Sequence, residues 1–185
     1  MKLVILDRDG VINQDSANFI KKPSEWIAIP NSLEAIALLN QSGFRVALAT
    51  NQSGVSRGLF DMAMLNSIHD KMYKELAAVG GRIDALFYCP HAADEHCDCR
   101  KPKTGMIEEI GKRFSVELNK VPAVGDSLRD LLAFAKAGCQ PILVRTGKGE
   151  ETLAASQKFA DKALPENTWV CDDLCEAVER IIETY

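Results

Sequence analysis

Four short polar segments at the ends of apolar runs, the third reached through a cysteine loop, hold the residues that could do chemistry: Asp7-Arg8-Asp9-Gly10, Thr50-Asn51-Gln52-Ser53-Gly54, Arg100-Lys101 and Gly125-Asp126. Asp7 and Asp126 offer the hard oxygen ligands that Mg²⁺ takes, usually one or two carboxylates with substrate phosphate and water completing the shell. With the dication offsetting charge, Asp7 can attack phosphorus in line, because an unperturbed aspartate titrates at about 3.9 and is ionised at neutral pH. Asp9, two residues on, can protonate the leaving oxygen and then accept a proton from the hydrolytic water. The Thr50 hydroxyl, the amides after it and the Lys101 ammonium supply donors and positive charge to a transferring phosphoryl group.

Each segment alone has a plainer reading. An Asp-x-Asp pair occurs in solvated loops, Thr50–Gly54 reads as a turn, Arg100-Lys101 as a solvated basic turn, and Asp126 as a helix cap. Taken in order, each behind a strand, the four predict a phosphate and Mg²⁺ site, since ligands of open α/β sheets bind beyond the carboxyl ends of the strands.

The elements that must position these groups are legible as alternating patterns. Lys2–Leu6, Arg45–Ala49, Ala85–Tyr88, Val121–Val124 and Ile142–Val144 read as five buried parallel strands. Helical spacing joins Leu33, Ile36, Ala37 and Leu39 before Gly43, and Leu65, Ile68, Met72 and Leu76 behind an Asp61 cap. It recurs at Ile107, Ile110 and Phe114, at Leu128, Leu131, Leu132 and Ala135 before Gly138, and at Leu174, Val178, Ile181 and Ile182 behind Asp172. The expected fold class is α/β, one doubly wound, Rossmann-like parallel sheet with helices on both faces. With 185 residues, 46% of them hydrophobic, residues 1–185 are expected to form a single domain. Asn13–Pro30, Cys89–Pro102 and Thr146–Glu151 read as loops.

The formal charge of −4 gives no general attraction to nucleic acid or anionic lipid. The apolar run Leu3–Leu6 is too short for a signal peptide or a membrane span, so a cytoplasmic chain with reduced thiols is expected. Cys89, His91, Cys97 and Cys99 could form a closed tetrahedral Zn²⁺ site that steadies Arg100 and Lys101. The spacing is unlike a common zinc finger, and thiols acting as small buried hydrophobes remain the alternative, with His96 a further possible ligand. His69, within a helical pattern, reads as a surface or partly packed residue, and Cys139, Cys171 and Cys175 read as packing residues; none of the four is assigned a role.

The ordered set of four segments resembles the haloacid dehalogenase superfamily of phosphatases. The resemblance implies Asp7 as nucleophile, Asp9 as acid and base, and Thr50 and Lys101 as phosphoryl stabilisers. It also implies Mg²⁺ held by Asp7, the Asp9 carbonyl and Asp126. Val11 stands where many members carry Thr, and Lys103 competes with Lys101 for the lysine role. The short gaps between the segments imply a capless fold with an open cleft shaped by loops, the cysteine loop among them.

The cysteine loop running into Arg100-Lys101-Pro102, together with Asp7–Gly10 and Thr50–Gly54, resembles the heptose-bisphosphatase and histidinol-phosphatase subfamily. This implies that Asp15, Ser16, Ala17, Asn18, Asn51, Gln52, Ser53, Arg100 and Ser127 line the substrate site. It further implies a small phosphorylated sugar as partner, a heptose 1,7-bisphosphate cleaved at its 7-phosphate on the way to nucleotide-activated heptose, with histidinol phosphate as the runner-up. A monomer with no nucleic-acid or membrane partner is expected. A receiver-like phospho-aspartate signalling domain is the non-enzyme alternative, but receivers carry that aspartate behind a later strand.

Overall fold

The computed structural model describes residues 1–185. Six strands, β1 (Lys2–Leu6), β2 (Phe44–Asn51), β3 (Ala85–Cys89), β4 (Pro122–Gly125), β5 (Gln140–Val144) and β6 (Trp169–Cys171), pair in parallel in the order β3-β2-β1-β4-β5-β6. The helices are α1 (Ser32–Gln41), α2 (Met62–Ala78), α3 (Gly105–Phe114), α4 (Leu128–Lys136), α5 (Gly149–Lys158) and α6 (Leu174–Thr184).

Side chains alternate across a strand, so β1 feeds both faces of the sheet. Val4 and Leu6 join a core packed under α1, α2 and α6, whereas Leu3 and Ile5 join a second core under α3 and α4. Val4, Ile5 and Leu6 are fully buried, and burial of each such side chain contributes about 1.5–3 kcal/mol. This two-sided burial makes the strand read as a continuous apolar run.

The chain leaves β1 toward β2 on one side and returns to β4 on the other, so the order reverses between β1 and β4. That reversal opens the crevice in which α/β sheets bind ligands. The pairing Leu6↔Val124 sets Asp7 and Gly125 level at its mouth, and Asp7 N donates to Val124 O at 2.9 Å.

Four sequence expectations need correction. β6 is a sixth strand beyond the five expected, because a three-residue edge strand with two half-buried positions carries no period to detect. α5 begins inside the expected Thr146–Glu151 loop and has no counterpart among the expected helices, because only Gly149 of its residues is buried and it shows no apolar stripe. The inward face of α4 is Leu131, Ala133 and Phe134, while Leu132 is exposed; Phe134, not Leu132, fills the core below β1 and β4. α6 is capped by Asp173, whose side chain accepts from Glu176 N, while the amide of Asp172 donates to the Glu176 carboxylate.

Candidate active site

Asp7 leaves the central strand end and is 5% exposed, and Lys101 reaches it from the segment behind β3. Three acceptors hold the Lys101 ammonium: Ala49 O at 2.6 Å, Asp7 Oδ1 at 3.0 Å and Asp130 Oδ1 at 2.7 Å. Lys103 instead turns outward to Cys97 O at 2.6 Å and Asp98, so it does not reach Asp7. The Asn51 side chain ties the Lys101 backbone in both directions, donating to Lys101 O and accepting from Lys101 N, each at 3.1 Å.

Asp126, at the end of β4, brings one carboxylate oxygen within 4.8 Å of those of Asp7 and Asp130. Its Oδ2 accepts from Lys148 N at 2.8 Å. The close approach depends on Gly10 (φ +82°), where a Cβ would fall 2.0 Å from Asp126 Oδ2. Burial pushes Asp126 up to about 8, with Asp130 and Asp7 adding like-charge repulsion. Burial also raises Asp7 to about 6, against the pull of Lys101. Burial works against ionisation of Asp130 too, but Lys101 and Arg129 outweigh it and hold Asp130 below the usual carboxylate range. Burial thus outweighs the one ammonium that Asp7 shares with Asp130, no cationic side chain is paired with Asp126, and their oxygen-only donor set fits a hard dication such as Mg²⁺.

Asp9 is fastened differently. Arg8 Nε and Nη2 donate to Asp9 Oδ1 at 3.1 and 2.9 Å, and Nη2 also reaches Oδ2 at 3.0 Å. Asn13 Nδ2 donates to Oδ1 at 2.9 Å and Gln52 Nε2 to Oδ2 at 2.8 Å. Burial works against ionisation of Asp9, but Arg8 and the donors from Asn13 and Gln52 prevail and depress its pKa. Gln52 Nε2 also donates to Thr50 Oγ1 at 2.9 Å, linking the first two segments.

These groups surround a cleft of about 260 Å³. Asp7, Asp9, Thr50, Lys101 and Asp126 line it, as do Asp15, Ser16, Ala17, Asn51, Gln52, Ser53 and Arg100. Two proposed substrate residues lie elsewhere. Asn18 borders a neighbouring shallow depression, and the Ser127 hydroxyl is bound to the Asp130 carboxylate in the capping box of α4. Sequence reasoning missed Arg57, Arg129, Asp130 and Lys148 among the lining residues, and His69, which accepts from Arg8. Asp130 left a trace in the Ser-x-x-Asp pattern that starts at Ser127. The others are ordinary surface-type residues in helices or loops, and no local signal marks them.

The cysteine loop gathers its four candidates. Cys89 Sγ stands 3.5 Å from His91 Nδ1 and 3.6 Å from Cys97 Sγ, and His91 Nδ1 stands 3.3 Å from Cys99 Sγ. A tetrahedron with Zn–S bonds of about 2.3 Å has edges of about 3.8 Å, so the spacing and the donor chemistry fit Zn²⁺. His96 is exposed and outside the cluster. Arg100 Nη1 donates to His91 O at 3.1 Å, which couples this loop to the cleft.

A HAD-hydrolase-like family model matches residues 98–177. A D-glycero-beta-D-manno-heptose-1,7-bisphosphate 7-phosphatase from Bordetella bronchiseptica is 58% identical over 183 residues, covering 99% of each chain. The enzyme of the same name from Pseudomonas aeruginosa is 49% identical, covering 98% of each. The crystal structure of a B. bronchiseptica D,D-heptose 1,7-bisphosphate phosphatase complexed with magnesium and phosphate superposes with a TM-score of 0.94 at 57% identity, covering 100% of both chains. With the carboxylate cluster, the paired lysine and the capless sheet in agreement with that likeness, the chain belongs to the D-glycero-D-manno-heptose-1,7-bisphosphate 7-phosphatase family of haloacid dehalogenase-like hydrolases.

Proposed function

We propose that this chain hydrolyses the 7-phosphate of D-glycero-D-manno-heptose 1,7-bisphosphate, with Asp7 as nucleophile, in the supply of nucleotide-activated heptose. The observation that carries the reading is the grip of Lys101 on Asp7 opposite Asp126, in a chain so similar to enzymes named for that reaction. Those relatives are named for the β anomer, and we assign the same preference here.

In the proposed reaction an Asp7 oxygen forms a bond to phosphorus as the bond from phosphorus to the sugar oxygen breaks. Asp9, protonated in the substrate complex, gives its proton to that oxygen. The incoming phosphate dianion beside Asp9 favours this protonation. Water then attacks phosphorus, Asp9 takes its proton, and the Asp7 carboxylate is released with inorganic phosphate. Thr50 and Lys101 donate to the phosphoryl oxygens throughout. Asp7, the Asp9 carbonyl and Asp126 would hold Mg²⁺, which offsets the repulsion between phosphate and carboxylates. Asp130 lies in the same cluster, but its charge is already matched by Lys101, so we assign it to the lysine.

Asp15, Ser16, Ala17, Ser53 and Arg100 would select the sugar, while Asn51 and Gln52 act mainly by tying Lys101, Thr50 and Asp9 in place. Cys89, His91, Cys97 and Cys99 would hold a structural Zn²⁺ that braces the approach to Arg100 and Lys101. Residues 1–185 would work as one domain and as a cytoplasmic monomer on a small-molecule substrate; no helix is long and apolar enough to cross a membrane. A side-by-side assay of both heptose anomers, histidinol phosphate and a generic ester in Mg²⁺ tests the assignment. The highest kcat/KM is expected for the β bisphosphate, and a higher value for histidinol phosphate would replace the heptose reading.

A further inference from the structure

We infer that His69, a residue of α2 outside the four motif segments, is a positioning residue for the proton-transferring carboxylate, acting through Arg8. The inference rests on the assignment of Asp9 as acid and base.

The geometry leaves one protonation pattern. Arg8 is fully buried, and its guanidinium has donors only. Its Nη1 stands 3.1 Å from His69 Nε2, so Nε2 must be the acceptor and the ring must be neutral with its proton on Nδ1. Burial, and the Arg8 charge behind it, push His69 down to about 4, which keeps the ring neutral at working pH.

Arg8 thus has two anchors at different points of its planar fork. Nε and Nη2 face Asp9, and Nη1 faces His69. Donors at both ends of a plane fix its rotation about the Cδ–Nε bond. That rotation sets where the Asp9 carboxylate points, because Asp9 Oδ1 takes two of its three donors from Arg8. His69 is itself 5% exposed on a long helix whose Leu65, Ile68, Met72 and Leu76 are locked in the core, so the acceptor is rigidly placed. Removing it leaves a buried N–H without a partner and frees the fork to tilt, carrying Asp9 off line.

A misplaced general acid hurts most where the leaving oxygen is basic. The heptose bisphosphate expels an alkoxide-type oxygen that needs the proton, whereas p-nitrophenyl phosphate expels p-nitrophenolate, the stable anion of an acidic phenol, which leaves without one. The test measures single-turnover release of the leaving group from each ester with the Mg²⁺-loaded enzyme, for wild type, His69→Leu, His69→Ala, His69→Gln and Asp9→Asn. The ratio of the two rates within one preparation is independent of how much protein is folded. His69→Leu and His69→Ala should lower the ratio of bisphosphate to aryl ester by about tenfold, a fraction of the roughly hundredfold or larger loss typical of a missing general acid and expected for Asp9→Asn. His69→Gln, whose Oε1 can replace Nε2 as acceptor, should restore most of it. An unchanged ratio in both His69→Leu and His69→Ala, with the fall in Asp9→Asn intact, overturns the role of His69 alone. An unchanged ratio in Asp9→Asn overturns the acid assignment, and the His69 role with it.

Discussion

Lys101 Nζ and Asp130 Oδ1 stand 2.7 Å apart with both side chains shut off from solvent. Asp130 is also the carboxylate that caps α4 through Ser127, so one side chain joins the start of that helix to the lysine that grips Asp7. Gly125 makes room for it, because a Cβ there would fall 2.5 Å from Asp130 Cβ.

Asp130→Asn should therefore lower kcat about tenfold or more with little change in KM, since the lysine loses a charged anchor without losing any substrate contact. Stability should fall by about 1–3 kcal/mol, the cost of weakening a buried charged hydrogen bond. Steady-state kinetics with urea unfolding check both. A raised KM with kcat intact would place Asp130 in substrate binding instead.

Asp7→Asn should abolish turnover, while Asp9→Asn should allow at most slow phosphorylation of Asp7, because losing the nucleophile removes the covalent route and losing the relay only impedes it. Acid-quenched trapping of labelled phosphate on the protein separates the two. Substantial Mg²⁺-dependent hydrolysis by Asp7→Asn would end the covalent reading.

Stability should respond to pH through His69. An unfolded chain takes up a proton on this ring below about 6.5, whereas the folded ring resists protonation down to about 4. The unfolded state then binds more protons in that window, so this contribution is complete above pH 6.5 and is lost as pH falls toward 4. Its size is on the order of 3 kcal/mol. Denaturant titrations at several pH values should show a flatter profile for His69→Gln than for wild type, and parallel profiles would argue against a neutral buried ring.

Purified protein should contain about one zinc, retained through turnover and distinct from the Mg²⁺ requirement, because the four clustered donors close a tetrahedron with no vacant position. Cys97→Ser should lower both Tm and zinc content and weaken turnover by loosening the segment before Lys101. Elemental analysis with thermal melts measures this, and a zinc-free preparation of full activity and equal Tm would give the thiols another purpose.

Arg100→Ala should depress kcat/KM for the heptose bisphosphate more than for a generic ester, which lacks the remote groups a guanidinium can bind. Equal losses on both esters would mean that Arg100 serves the transferring phosphate, or only the His91 carbonyl it already contacts.

The sequence by itself determined the chemistry-bearing segments and most of the frame. β1, β2, β4 and β5 are largely buried on both faces and read as continuous apolar stretches, whereas the edge strand β3 is half-buried with Tyr88 exposed. Asp7 and Asp126 directly follow β1 and β4, Thr50 stands near the end of β2 and Lys101 comes from the loop behind β3, because a parallel sheet presents all its strand ends on one side. Tertiary structure decided what is held together by contacts between distant positions. Motif resemblance favours Lys101 over Lys103, but the physical difference, burial of Lys101 between Asp7 and Asp130 while Lys103 turns outward, exists only in the folded chain. Nothing local turns the Ser127 hydroxyl to Asp130 rather than the cleft, or carries His69 across 61 positions to Arg8. Such pairings arise from the packing of helices against the sheet, and a single chain's residue pattern records which face is buried but not which polar group waits there.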